Sequence, residues 1–169
     1  MGSKSRRPGA TRRWKPTVNT FEVAASRAAK LSQATVDGLA ASLNRASQGL
    51  EQPQESAAAW NDLRTALAVS ARIERLGVVK GLEIAIEAAT LALLSIRARS
   101  MESGTWVHAV LTQDERDVID NLIRDHVFQV GQLSAGEFER VYLQVRQEFF
   151  SNRSILVPVK PRAAQAAES

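Results

Sequence analysis

The chain of 169 residues has no cysteine, two histidines, one tyrosine and five prolines. Without cysteine it builds no disulfide framework, no thiolate metal site and no cysteine nucleophile. The reducing cytoplasm of a host cell is the default compartment for such a chain. No uncharged apolar stretch approaches the ~20 residues of a membrane span; the longest, Ala88–Ile96, is closed by Glu87 and Arg97. The N-terminus lacks the apolar core of a secretory signal. Arg6 stands where an N-myristoylation start needs Ser or Thr. Pro8, Pro16, Pro158 and Pro161 lie near the ends and only Pro53 is internal. The proline-free run from Gln54 to Val157 is what a series of helices requires.

What is present is unevenly placed. Hydrophobic residues make up 44% of the chain, enough for one core in a chain whose size buries roughly 70% of its unfolded surface. The formal charge of +4 divides into two parts. Lys4, Arg6, Arg7, Arg12, Arg13 and Lys15 give the first 15 residues +6, while the other 154 carry 16 bases against 18 acids. Broken by Pro8, Gly9 and Pro16, this arm is expected to be disordered alone. Its cations suit phosphate neutralisation, and the Trp14 indole suits stacking on an unpaired base. An acidic protein surface is the competing target. The expected organisation is therefore a disordered basic arm (1–18), a helical bundle (19–150) and an extended or disordered Pro/Ala tail (151–169).

Five helices are expected. The first runs from Thr20 to Gln48 behind an Asn19–Glu22 capping pattern, with Val36, Leu39, Leu43, Ala46 and Leu50 on one face. Asp37-Gly38 is a point at which it can bend or split, and Gly49 a stop. The second spans Ser56 to Leu76, with Trp60, Leu63, Leu67, Ser70 and Ile73 inward and Gly77 as a left-handed cap. The third, Val79 to Met101, is apolar over most of its girth, which places it in the middle of the bundle; Gly104 is expected to end it. The fourth starts at the capping box Thr112–Glu115 and carries Val118, Ile119, Leu122, His126 and Val130 before Gly131. The fifth starts at Ser134–Glu137, with Leu133 and Phe138 as a hydrophobic staple, and continues through Val141, Tyr142, Val145 and Phe149. Short connections make successive helices antiparallel neighbours, so the fold class is an all-α antiparallel bundle. Ile155–Val159 is the one short extended run.

Catalytic constellations are absent. There is no Gly-rich phosphate loop, no G-x-S-x-G, no H-E-x-x-H and no carboxylate-bridged metal pattern. No cofactor, metal or catalytic residue is expected, and the chain reads as a binding protein and not an enzyme. His126 falls on an apolar stripe, where a hydrogen-bonded core histidine is the plain expectation. His108 lies in a connection and is expected to pack at the surface. Asp114, Glu115, Asp117, Asp120 and Asp125 suit a helix start and a solvated face. Neither helix–glycine–helix joint has the small and aliphatic residues that a DNA-reading helix-turn-helix needs. Ile73 and Glu83 occupy those positions at one joint, Val127 and Glu137 at the other. Arg64, Arg72 and Arg75 line one side of the second helix, with Lys80 beyond. They form either a solvated face or an extension of the arm's footprint. Trp60 and Trp106 are expected to anchor the core near helix ends.

Several short segments carry a resemblance: Arg12-Arg13-Trp14-Lys15-Pro16, Trp60-Asn61-Asp62-Leu63, Ile73-Glu74-Arg75-Leu76-Gly77, and Arg97–Gly104 leading into Trp106. Over about two thirds of its length the chain resembles a loose group of small helical proteins of proteobacterial prophages and plasmids. The resemblance implies a mobile-element accessory protein and supplies no activity and no site residues. Two targets are expected for such a factor, nucleic acid or nucleoprotein on one hand and a host or defence enzyme on the other. Self-association through helices one and three would give a homodimer with a doubled arm.

Overall fold

A computed structural model describes residues 24–25, 28–152 and 156–159. Among them the chain is an all-α bundle of five long helices: α1 (Gln33–Leu50), α2 (Ser56–Leu76), α3 (Glu83–Ser100), α4 (Gln113–Gln132) and α5 (Ala135–Ser151). No described helix is long and apolar enough to cross a membrane.

Local signals set three of the helices. At α4, the Thr112 hydroxyl accepts the Glu115 N–H while the Glu115 carboxylate accepts the Thr112 N–H. Ser134 and Glu137 repeat the arrangement at α5. Each box satisfies two amide donors that a helix start otherwise orphans. α2 ends on Gly77 at φ 75°, a left-handed cap that costs glycine nothing sterically.

The first helix corrects the sequence expectation in three ways. It starts at Gln33 under a Ser32 cap whose hydroxyl accepts the Thr35 N–H, and the Asn19–Glu22 pattern lies outside the described residues. The cause is long-range. Residues 24–25 and 28 are helical, but Leu31 N–H donates to the Leu133 carbonyl and Ala135 N–H to the Ala29 carbonyl, so residues 29–31 break from the helix to satisfy the α4–α5 turn. The helix also runs unbroken through Asp37-Gly38. Nor is Gly49 a stop. It lies inside the last turn, where an added Cβ would sit 3.2 Å from the Ala59 Cβ, so it permits close approach of α1 to α2.

The third helix corrects it more deeply. α3 begins at Glu83 and not at Val79, because Gly81 turns at φ 99°. The buried Glu74 carboxylate of α2 takes the Gly81 N–H at 2.7 Å and the Leu82 N–H at 3.4 Å. A neighbouring helix thus supplies the cap that α3 lacks. The middle of the bundle is α2, which packs against all four other helices, whereas α3 packs chiefly on α2 and α4. Only Ala89, Leu93, Ile96 and Ser100 of α3 are buried. Its opposite side leaves Ile84 84%, Leu91 62% and Leu94 50% exposed.

Two apolar clusters run through the bundle. One joins α1, α2, α3 and α4 around Trp60, Leu63, Leu93 and Ile119. The other joins the far ends of α2 and α4 to α5 around Ile73, Val130, Leu133 and Val141, with Phe138 against it. Trp60 donates its indole N–H to the Leu93 carbonyl at 2.9 Å and tilts against the half-buried Trp106, whose own N–H reaches the Ser56 hydroxyl. Both tryptophans are core anchors. The chain returns to the core after α5: Val157 is buried, and its N–H and carbonyl both bond the Asn61 amide at 2.8 Å. Residues 156–159 form a bend and irregular chain and not a strand, held by the Asn61 side chain.

Candidate functional site

The arm cations Lys4, Arg6, Arg7, Arg12, Arg13 and Lys15, with Trp14, lie outside the described residues. The three α2 arginines are separated by their surroundings. Arg72 and Arg75, one turn apart, share an open groove of about 520 Å³ with Gln144, Gln147, Glu148 and Ser151 of α5. Arg72 Nη2 lies 3.6 Å from Glu148 Oε2, while its Nε is buried without a hydrogen-bond partner. Arg75 folds its Nε back on the Ala71 carbonyl. Arg64 does not join them. Its guanidinium lies 5.7 Å over the Phe149 ring, and partial burial lowers its pKa against the opposing pull of Glu148. It is a stacked, half-buried cation of the α2–α5 packing.

A second groove, of about 500 Å³, opens on the other side of α5. Thr65, Tyr142, Arg146, Phe149 and Phe150 line it with Leu156–Pro158. Arg146 covers the Phe150 ring at 5.5 Å. α5 thus separates a polar groove of guanidinium, amide, hydroxyl and carboxylate groups from one lined by rings.

His126 is buried in α4, and its Nδ1 lies 2.8 Å from the Ser70 hydroxyl. Burial pushes its pKa down to about 4, so the ring is neutral at physiological pH. Gln129 completes the buried group by donating to the Ser70 carbonyl at 3.4 Å. A hydroxyl on an imidazole is the first element of a nucleophile–base pair. Ser70 and His126 are both closed from solvent and line neither groove, so here the pair ties α2 to α4. Sequence reasoning placed Ser70 on the inner face without its partner, since the two are 56 residues apart.

The acids of α4 also separate. Glu115 is buried against Arg99, which donates to both carboxylate oxygens at 2.8 and 2.7 Å and also reaches Ser95. That contact, first among its causes, holds the Glu115 pKa below the carboxylate range. Asp114, Asp117 and Asp120 are exposed. Among the described residues no three His, Asp or Glu side chains converge as metal ligands do. His108 is half-buried in the α3–α4 connection.

Comparison with family models, with curated proteins and with solved structures finds no match to this chain.

Proposed function

We propose that the chain is a non-enzymatic binding protein, an accessory factor of a phage or similar mobile element, that docks on nucleic acid or nucleoprotein in the host cytoplasm. The observation that carries this reading is the groove of Arg72 and Arg75 with Gln144, Gln147, Glu148 and Ser151. Its two guanidinium groups and two amides are donor types that hold phosphate oxygens without reading bases, and a bound phosphate would take the place of the Glu148 carboxylate on Arg72. The six arm cations add sequence-independent attraction. The resemblance to prophage and plasmid proteins supports the biological setting.

The test is a mobility-shift series against salt with the full chain and a variant lacking residues 1–16. Engagement of six arm cations gives a log–log slope near −5 on duplex DNA, and the deletion removes the shift. Arg72→Ala with Arg75→Ala weakens binding uniformly across sequences and lowers the slope by about 2. No shift with the full chain, or a pull-down that survives nuclease and high salt, overturns the reading in favour of an inhibitor or regulator of a host or defence enzyme. A shift unaltered by the deletion removes the arm from it.

A further inference from the structure

The outer face of α3 follows a heptad. Ile84, Leu91 and Ala98 are seven residues apart, and Glu87, Leu94 and Met101 form the second row between them. An alternation of three and four is the seam that two paired helices bury between them. This seam faces away from the bundle, because Ala89, Leu93, Ile96 and Ser100 hold the inner side. By contrast α1, the other helix expected to self-associate, has no large apolar side chain exposed.

Charge along α3 is polarised as well. Glu83 and Glu87 lie in its first two turns, Arg97 and Arg99 in its last two. Both arginines are turned back on the bundle, Arg97 over the Trp60 ring at 5.7 Å and Arg99 on Glu115, so they flank the seam without facing it.

We infer that α3 pairs antiparallel with α3 of a second copy of this chain, about a twofold axis between Leu91 and Leu94. This register sets Leu91 of each copy on Leu94 of the other, and Ile84 on Met101. Glu87 then lies opposite Ala98. The small methyl leaves room for the carboxylate, which lies beside the C-terminal, basic half of the second helix. A parallel pair instead stacks Glu87 on Glu87 and aligns the helix dipoles unfavourably. The contact is isologous, so it closes at two subunits. A seam along one 18-residue helix, about 27 Å long, is small for a stable interface, so the dimer is concentration-dependent. The Arg72–Arg75 groove belongs to α2 and α5, which contribute nothing to the seam, so both copies keep it open.

Light scattering on the full chain tests this. The expected mass rises with concentration toward twice 18.5 kDa. Leu91→Glu, which sets a carboxylate on Leu94 at both symmetry-related contacts, keeps it at one, with the helical circular dichroism unchanged. A monomer mass at the highest attainable concentration overturns the proposal, as does a Leu91→Glu chain that still dimerises. Register is tested separately, and cleanly, since the chain has no cysteine. A mixture of Ile84→Cys and Met101→Cys chains oxidises to a mixed disulfide dimer. Ile84→Cys alone does not, because its two copies lie about 25 Å apart. A dimer from Ile84→Cys alone shows a parallel pair and overturns the arrangement.

Discussion

Helices α3 and α4 lie side by side and are nearly equal in length, 18 and 20 residues, yet they are built on opposite terms. α4 has its own capping box, an inner face of Ile119, Leu122, Ile123, His126 and Val130, and an outer face of Asp117, Asp120, Asn121 and Arg124 broken by one exposed ring, Phe128. α3 has no side-chain cap of its own, depends on Glu74 of α2, and turns aliphatic residues both ways. Apolar content alone therefore does not locate a helix in a bundle. A stripe with a polar reverse names the side that faces inward; a helix apolar all round leaves the choice to its neighbours. α2 and α4 cover only one side of α3, and the remainder is left for another surface.

The largest expected effect lies within α3 itself. Leu93→Ala empties a buried site and costs about 2–5 kcal/mol in urea unfolding. Leu91→Ala, two residues away on the exposed side, stays within about 0.5 kcal/mol when the chain is dilute enough to be monomeric. Equal losses would erase the two-faced description.

On α4, His126 makes stability pH-dependent. Its folded pKa of about 4 lies below the ordinary 6.5, so the unfolded chain takes a proton between those values and the folded chain does not. Stability is complete above pH 6.5 and falls as pH drops toward 4, by on the order of 3 kcal/mol. Glu115 and Glu137, whose folded pKa values are lowered, add loss in the same direction at the acid end. His126→Gln flattens the upper part of that slope, measured by urea midpoints across pH. An unchanged slope would mean the ring is protonated inside the fold.

The two helix starts differ in scale. Glu74→Ala leaves the Gly81 and Leu82 N–H groups without their acceptor and costs about 1–3 kcal/mol, with exchange protection lost first across the opening turn of α3. Thr112→Ala removes one hydroxyl cap from α4 and costs about 1 kcal/mol. A larger loss at Thr112 would reverse the contrast between a borrowed cap and a local one.

The features legible in the sequence are those decided over three or four residues. Ser56–Leu76 with its Gly77 cap, and the boxes Thr112–Glu115 and Ser134–Glu137, read directly because donor and acceptor are neighbours in the chain. The start of α1 was not legible, since the backbone of Ala29–Leu31 is claimed by the α4–α5 turn a hundred residues later. At the candidate site, sequence spacing aligned Arg64, Arg72 and Arg75. The Phe149 ring then drew Arg64 aside, while α5 gave the other two a shared groove.

The chain by itself determined that it would be helical, where three of its helices begin, and that its cations gather at one end, because propensity, capping and charge are local properties. Only the tertiary structure decided that α2 and not α3 is central, that Ser70 meets His126, and that Val157 returns to Asn61. Each of these depends on which surfaces compete for burial, and that competition is settled between segments far apart in the chain.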